Sequence, residues 1–300
     1  MASIDATTPV SVDRERYLAL GAALVTVTLW ASGFVGVRAA ARDLSPGSVA
    51  LGRLLVGSIA LGILALARRE PLPSRRDLPG IAFCGVFWFA LYSVVLTQAE
   101  RTVDAGTAAM LVNIGPILIA VLAGVVLREG FPRTLLAGCA IAFAGAVVIG
   151  VATSDHGATQ SWGAVLCVVA ALAYAGGVVA QKPLLTRVSP FQVTWLACTA
   201  GAIACLPFAG TLWHEAGSAH TSALAWTVYL GIVPTAIGFV TWAYALSRTT
   251  AGRMGSTTYL VTPIAILLGW AVLGETPPTL ALLGGTLCLV GVAVARRRAS

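Results

Sequence analysis

Ten apolar stretches of about twenty residues each make up most of the chain, and they constrain its fold more than any other sequence feature. A helix of about twenty residues crosses the roughly 30 Å hydrocarbon core of a bilayer. In lipid only helices and closed barrels satisfy the backbone, and the alternating strands of a barrel are absent from this sequence. The sequence therefore predicts an all-α integral membrane protein with ten transmembrane helices. Their approximate bounds are 17–37, 46–67, 78–98, 105–127, 134–152, 162–181, 189–212, 222–246, 251–273 and 277–295.

Composition supports lipid as the main solvent. The 300-residue chain is 58% hydrophobic and only 10% charged, whereas about a quarter of the residues in soluble proteins are charged. So few charges could not cover the surface of a soluble domain of this length.

An internal repeat relates the two halves of the chain. Ser45-Pro46 is matched 144 residues later by Ser189-Pro190, and Trp30 is matched by Tyr174 at the same offset. Further along, Glu129 is matched by Glu275 at an offset of 146. Each half holds five apolar stretches, and this odd number means that the second half enters the bilayer from the opposite side. The sequence therefore predicts two inverted five-helix repeats, an arrangement that transporters use for alternating access.

The predicted organisation has five parts. A cytoplasmic N-terminal tail (1–16) precedes the first five-helix repeat (17–152). A short polar linker (153–161) leads into the second repeat (162–296), and a cytoplasmic tail (297–300) ends the chain.

Cationic side chains are distributed unevenly between the two predicted faces. With both termini cytoplasmic, all but four of the 19 Lys and Arg residues lie on the cytoplasmic side; the exceptions are Arg38, Arg42, Arg53 and Arg101. This asymmetry follows the positive-inside rule and predicts cytoplasmic termini. Because the cations are scattered over short loops, the net charge of +7 does not indicate nucleic-acid binding. The alanine-rich, arginine-rich composition is typical of GC-rich bacterial genomes, so the expected location is a bacterial cytoplasmic (inner) membrane.

All twelve carboxylates lie in predicted loops or at helix ends. An ion-driven pump usually keeps an ionisable group near the middle of the membrane, so we expect no obligatory coupling carboxylate there. The sequence also lacks catalytic and metal-binding motifs. It therefore predicts a protein that is not an enzyme, without catalytic residues, metal or cofactor. The expected partners are a small-molecule substrate and the lipid bilayer, without nucleic acid, and the protein is expected to act as a monomer.

Polar and aromatic residues inside the predicted helices are the candidates for substrate binding. Trp88 and Tyr92 are four residues apart, which places both rings on one face of the third helix. Aromatic rings near helix ends commonly anchor at the membrane interface, but these two lie deeper. The candidate substrate-binding residues are Trp30, Ser32, Trp88, Tyr92, Asn113, Tyr174, Gln181, Thr241, Trp242, Thr258, Tyr259 and Thr262.

Three prolines and two glutamates are the candidates for hinges or gates. Pro116 and Pro263 interrupt the fourth and ninth helices at nearly equivalent repeat positions, and Pro234 lies in the eighth. Paired interruptions indicate a midplane binding site, although a proline also kinks a helix for packing alone. Glu129 and Glu275 close the fourth and ninth helices, where the helix dipole disfavours a carboxylate. Each glutamate is either a gate or a solvated loop charge.

Arg53 lies about two turns into the second predicted helix, where a cation costs on the order of 3 kcal/mol on insertion scales. Three roles are open at this point: the side chain snorkels outward, pairs with Asp43, or binds a substrate carboxylate. Structural roles are favoured over substrate binding.

Several segments resemble the drug/metabolite transporter superfamily, in its ten-span EamA-type branch. The first half carries Leu29-Trp30-Ala31-Ser32-Gly33-Phe34, Gly52-Arg53-Leu54-Leu55 and Ala105-Gly106, followed by Pro116 and Glu129. The second half carries Ala251-Gly252, followed by Tyr259-Leu260, Pro263 and Gly274-Glu275. The resemblance covers nearly the whole chain. One departure is Arg128-Glu129, where the family usually has Gly-Glu.

The resemblance implies metabolite export, often of amino acids, through a central cavity. It implies that helices 1, 3, 4, 6, 8 and 9 line this cavity and that helices 5 and 10 form the back. Because a cavity with aromatic rings and hydroxyls suits neutral or zwitterionic solutes, we expect export of apolar or aromatic amino acids by alternating access. The alternatives are a multidrug or other metabolite exporter and, in another class, a receptor or structural membrane protein that transports nothing.

Overall fold

A computed structural model describes residues 9–70, 72–99, 101, 112–153, 161–273, 279–295 and 297. Within these residues the chain forms ten helical segments and no β-strand. Those of the first half are α1 (Pro9–Ala40), α2 (Pro46–Arg68), α3 (Leu78–Ala99), α4 (Gly115–Val126) and α5 (Arg133–Thr153). Those of the second half are α6 (Ser161–Leu184), α7 (Pro190–Ala204, then Leu206–Phe208 and Ala209–Ser218), α8 (Thr221–Ser247), α9 (251–273) and α10 (Thr279–Ala295). The all-α prediction is confirmed.

The outer surface of the bundle is apolar. Large side chains point outward on both halves, with Leu66 78%, Val125 65%, Ile63 64% and Leu283 60% exposed. Soluble proteins rarely expose broad apolar surfaces, so this surface belongs in lipid. By length and composition, five described helices can cross a membrane, and a sixth span is added if the two parts of α7, bent by 51°, are taken together.

Helices α2 and α7 start in the same way, as the repeat predicts. Ser45 and Ser189 precede them with extended backbones, and a proline occupies the first turn of each helix. A carboxylate meets each of these serines: Glu70 accepts a hydrogen bond from Ser189 Oγ (2.7 Å), and Glu215 accepts one from Ser45 N (2.9 Å). The positive end of each helix dipole therefore faces an acidic side chain.

Glycines bring α5 and α10 into close contact. A Cβ atom at Gly145 would lie 2.6 Å from the Gly284 carbonyl oxygen, and one at Gly291 would collide with Ala142. Only glycine lets the two backbones approach this closely, which is a common packing device between helices in lipid. The two helices that end the halves thus pack against each other.

Two π-helical segments occupy equivalent positions in the halves. They are Cys84–Leu91 within α3 and Gly231–Ile237 within α8, offset by 146 or 147 residues. Each contains a glycine pressed on a backbone of the other half: a Cβ atom at Gly85 would lie 2.5 Å from Ala197 O, and one at Gly231 would lie 2.7 Å from Arg53 O. π-Turns are frequently found at functional sites, and these two lie at the contact between the halves.

Candidate functional site

A cavity of about 130 Å³ lies between the two halves. Helices α1, α3, α4, α6, α8 and α9 form its wall, with one residue from α2, and the described parts of α5 and α10 contribute none. One water position needs at least about 10–15 Å³ on this measure, so the cavity is large enough for several waters or for a small organic solute. These are the helices that the resemblance implies, with α2 as an addition.

The cavity brings together nine of the seventeen candidate residues. They belong to both halves and to all six of the expected helices. They are Trp30, Trp88, Tyr92, Asn113, Pro116, Tyr174, Pro234, Thr258 and Thr262.

Five rings form an aromatic cluster at one end of the cavity: Trp30, Trp88, Tyr174, Phe239 and Trp242. Trp88 is central, with ring centroids 5.0 Å from Phe239, 5.5 Å from Tyr174 and 5.7 Å from Trp242. Trp30 stacks on Trp242 at 5.0 Å. Trp88 is 1% exposed and Trp242 is fully buried, so the cluster closes this end of the cavity.

From the aromatic cluster the cavity extends toward the ends of three helices. Its farther wall includes Val37 near the end of α1, Leu96 near the end of α3, and Val112 just before α4. Because successive helices run in opposite directions, these ends lie at the same membrane face, opposite the face at which α1 begins. The cavity therefore lies on the side of the cluster away from the N-terminus.

The two halves hold the cluster through equivalent contacts. Trp30 Nε1 donates to Pro234 O at 3.1 Å, and Pro234 also packs on Gly33. In the other half, the Cβ position of Gly177 lies 2.5 Å from Trp88 Cβ. Gly33 and Gly177 are 144 residues apart and so occupy equivalent positions in the two repeats. Gly33 allows α8 to pack closely on α1, and Gly177 allows α3 to pack closely on α6.

Hydroxyl and amide groups line the cavity on α9. Asn113 Nδ2 donates to Thr262 Oγ1 (3.0 Å), joining α4 to α9. Tyr174 OH donates to Thr258 Oγ1 (3.3 Å), joining α6 to α9. The wall thus offers polar groups that are already partly engaged, which limits the number of hydrogen bonds a solute can add.

Arg53 is the cation in the described wall of the cavity. Its Nε donates to Thr235 Oγ1 at 3.0 Å, which links α2 to the π-helical segment of α8. The two ion pairs among the described residues do not involve it. The guanidinium is partly buried and faces the cavity.

Asp43, one of the partners open to Arg53 at the sequence level, is engaged elsewhere. It accepts from His220 N (3.0 Å) and pairs with His220 Nδ1 (2.9 Å). The His220 hydrogen bonds, side chain first and then backbone, hold the pKa of Asp43 below its usual value. This contact joins the α1–α2 loop to the start of α8.

Three candidate residues are absent from the cavity wall: Trp242 of the aromatic cluster, its partner Gln181, and Thr241. Trp242 Nε1 donates to Gln181 Oε1 at 3.2 Å, and both side chains are fully buried. Gln181 Nε2 has no hydrogen-bond partner among the described residues. Thr241 lies 2.8 Å from Thr26 Oγ1, so it joins α8 to α1 instead of lining the cavity.

Three further candidates also lie away from the cavity in this conformation. Ser32 Oγ is 2.7 Å from Tyr229 OH, between α1 and α8. Tyr259 is fully buried against α5 and α10, and its hydroxyl has no hydrogen-bond partner in the part of the chain that the structure describes. Pro263 packs on Gly285 of α10.

The prolines mark departures from regular α-helix, as their sequence positions predict. Pro116 is in the first turn of α4, after a turn at residues 113 and 114. Pro234 lies inside the π-helical segment of α8, and Pro263 follows a 3₁₀ turn at Thr258–Leu260 in α9. These irregular stretches lie beside the cavity.

The Glu129 carboxylate meets the start of α9 on the N-terminal side of the aromatic cluster. Its two oxygens accept from Ala251 N (2.8 Å) and Gly252 N (3.2 Å). Glu129 therefore lies at the positive end of another helix, which compensates the unfavourable dipole of the helix that it follows. The equivalent residue, Glu275, lies outside the described residues.

Lys182 makes a second connection on the same side of the bundle as Glu129, the side at which α1 begins. Its Nζ donates to Leu246 O (2.7 Å) and Thr249 O (2.5 Å), where α8 ends. Lys182 thus binds the negative end of α8, while Glu129 binds the positive end of α9. We call these two contacts the inner clamp.

Sequence reasoning missed several lining residues, among them Phe34, Ser93, Leu96, Thr97 and Phe239. Leu96 could have been found by continuing the face of Trp88 and Tyr92 by one turn. Phe239 is 146 residues after Ser93, so the repeat relates two of the residues that were missed. Among the described residues, no group of His, Cys, Asp and Glu could hold a metal ion.

Each half of the chain matches a known protein family. Residues 17–151 and 161–297 each match the EamA-like transporter family. The chain belongs to the EamA-like transporter family. As an EamA-like transporter it is a multi-pass membrane protein with two inverted five-helix repeats and ten transmembrane helices, as predicted from the sequence.

Curated relatives match this EamA-like chain over almost its whole length, and they are named as transporters, exporters or efflux pumps. A protein of Streptantibioticus cattleyicolor named "Probable terminal-alkyne amino-acid exporter" is 40% identical, with 93% of this chain and 94% of that protein covered. The uncharacterized transporter YdfC of Bacillus subtilis is 33% identical over 89% of this chain and 87% of its own. A "Probable amino-acid metabolite efflux pump" of Salmonella typhimurium is 23% identical, with 90% and 92% covered.

A solved protein structure shares the fold. It superimposes with a TM-score of 0.74 at 18% identity and covers 93% of this chain and 96% of its own. At this identity the likeness concerns architecture alone.

Proposed function

We propose that this transporter exports neutral or zwitterionic amino acids, preferably with apolar or aromatic side chains, by alternating access. The observation that carries the proposal is the aromatic cluster at the end of a cavity between two repeats. Its rings offer apolar surface to a side chain, while Asn113, Thr258 and Thr262 offer polar groups to a head group. The seven substrate-binding candidates that line the cavity are the proposed substrate contacts, and Pro116 and Pro234 remain proposed hinges.

The names of two relatives support this choice of substrate. The protein of Streptantibioticus cattleyicolor is named as an exporter of terminal-alkyne amino acids, which combine an amino-acid head group with a short apolar side chain. The Salmonella protein is named as an efflux pump for amino-acid metabolites. The described wall of the cavity carries a cation of its own, Arg53, which disfavours a cationic drug.

The inverted repeat supports the proposal of alternating access. The cavity lies on one side of the aromatic cluster, and the inner clamp holds the bundle together on the other side. In an inverted repeat the two halves can exchange conformations, which moves the opening to the opposite face. The π-helical segments of α3 and α8 are the proposed flexible points, because they lie at equivalent places beside the cavity.

We propose a bacterial cytoplasmic membrane with both termini in the cytoplasm. The support is the charge asymmetry, in which all but four of the 19 cationic residues share one side. Reporter fusions after Ser300 and within the α1–α2 loop are expected to report cytoplasm and periplasm, respectively. A periplasmic reporter signal after Ser300 would overturn this orientation.

Counterflow in proteoliposomes tests the function. Vesicles loaded with unlabelled phenylalanine are expected to accumulate labelled phenylalanine, with competition by leucine and propargylglycine and none by lysine or glutamate. Protein-free vesicles are the control. Ethidium flux without amino-acid flux would favour a multidrug exporter, and no flux of any solute would favour a protein that does not transport.

A further inference from the structure

Arg53 places a positive charge in the cavity wall at a position that is uncharged in the second repeat. The equivalent of Arg53 in the second half, 144 residues later, is Ala197. The equivalent of its partner Thr235, 146 residues earlier, is Phe89. The Arg53–Thr235 pair therefore breaks the symmetry of the two halves and is not a by-product of their common packing.

The charge of Arg53 is not neutralised by a described carboxylate. Among the described residues, the wall of the cavity contains no Asp or Glu, and the two ion pairs lie in loops. Thr235 accepts from Nε and is itself fully buried, which orients the guanidinium but adds no charge. A cation held in a membrane bundle is costly without a partner, so an anion in the cavity would be strongly favoured.

We propose that Arg53 binds the carboxylate of the substrate and that the site does not require the ammonium group. This inference rests on the proposed function and names the determinant of its substrate class. A guanidinium recognises a carboxylate through charge-assisted hydrogen bonds. For an ammonium group, the described wall offers hydroxyl and amide oxygens and aromatic faces, but no carboxylate.

The predicted substrate class is therefore small carboxylates with an apolar tail, whether or not they carry an α-amino group. Phenylalanine and 3-phenylpropionate should both bind, because both present a carboxylate and a phenyl ring. Phenylalaninamide should bind poorly, since it keeps the ammonium and the ring but lacks the anion. The aromatic cluster would hold the ring and Arg53 the opposite end of the molecule.

Competition against labelled phenylalanine counterflow in proteoliposomes tests this at pH 7.5. We expect 3-phenylpropionate to inhibit within about tenfold of phenylalanine and phenylalaninamide to be about 10- to 100-fold weaker, the size of one hydrogen-bonded charge contact. Arg53→Gln should weaken phenylalanine and 3-phenylpropionate by about that factor and leave phenylalaninamide unchanged. Arg53→Lys, which keeps the charge, should recover part of the loss. Arg42→Gln, an exposed arginine in the α1–α2 loop, is the matched control.

The outcomes separate this inference from the proposed function. Amino-acid counterflow with equal inhibition by phenylalanine and phenylalaninamide would overturn the role of Arg53 and leave amino-acid export standing. Failure of 3-phenylpropionate to inhibit would overturn the claim that the ammonium is dispensable. Absence of all counterflow would overturn the proposed function itself. Should Arg53→Gln not fold, the competition series with the parent protein still decides.

Discussion

Replacing Trp88 with alanine is expected to lower the apparent affinity for phenylalanine by about 10- to 100-fold. Trp88 lines the cavity and contacts Tyr174, Phe239 and Trp242, so its ring is the centre of the surface proposed to bind the substrate side chain. Losing such a contact costs about 1–3 kcal/mol of binding free energy. Tyr92→Ala, which removes a second lining ring from the same helix, should have an effect in the same range. Counterflow measured over a range of phenylalanine concentrations provides the affinities.

The Trp88 experiment needs a test of folding, because an alanine there leaves a large void. Core Trp→Ala substitutions cost about 3–5 kcal/mol of stability in soluble proteins. Thermal unfolding in detergent is therefore measured alongside transport, and Trp88→Phe serves as a milder variant with an expected loss of about three- to tenfold. Trp213, which is 83% exposed, provides the control Trp213→Ala. Folded Trp88→Ala and Tyr92→Ala proteins that transport like the parent would show that these rings serve packing alone.

The fold could be read from the sequence because lipid leaves few choices. A stretch of about twenty apolar residues can satisfy its backbone in a bilayer only as a helix, and the repeated Ser-Pro pairs gave the starts of α2 and α7. The π-helical segments could not be predicted. Their backbone hydrogen bonds span five residues instead of the four of an α-helix, and no residue pattern marks this change. The role of their glycines becomes clear only from the structure, in which Ala197 O and Arg53 O lie against Gly85 and Gly231.

The site was predictable where a residue's type restricts its surroundings. Trp30, Trp88 and Tyr174 are aromatic residues deep inside predicted helices, and they meet in the aromatic cluster. The positions of Thr241 and Gln181 could not be derived, because a rotation of one helix by a single residue decides between cavity and packing. The orientation of the Arg53 guanidinium depends on a hydrogen bond to Thr235, which is 182 residues away. No local sequence pattern indicates this contact.

Glu129 illustrates how tertiary structure resolves a question left by the sequence. A carboxylate after the end of α4 faces an unfavourable dipole, and the residue could have been a gate or a solvated charge. The backbone reaches the start of α9 through two left-handed residues, Arg128 (φ 56°) and Gly130 (φ 75°). The partner amides belong to Ala251 and Gly252, more than 120 residues further along the chain. The carboxylate thus connects the two halves at the inner clamp.

Replacing Glu129 with alanine is expected to shift the conformational equilibrium toward the proposed inward-open state by about 10- to 100-fold. The variant loses two hydrogen bonds between a charged acceptor and the first turn of α9, and bonds of this kind contribute about 1.5–3 kcal/mol each when buried. Because Glu129 is only partly buried, we expect both bonds together to contribute about as much free energy as one buried bond of this kind. Glu129→Gln retains one carbonyl oxygen and should produce a smaller shift.

A cysteine at Met254 reports this opening. Met254 is fully buried near the start of α9, and all six native cysteines are buried as well, so background labelling should be low. Maleimide applied from the side of the termini should label Met254→Cys slowly in the parent and about 10- to 100-fold faster with Glu129→Ala. Glu15→Ala, which alters an exposed carboxylate of α1, should change nothing. Unchanged labelling with Glu129→Ala would mean that Glu129 stabilises the start of α9 locally and that the inner clamp does not control access. Labelling that is faster with Glu129→Gln and faster still with Glu129→Ala would instead show that the conformational equilibrium depends on how many side-chain oxygens at residue 129 accept hydrogen bonds from the α9 amides.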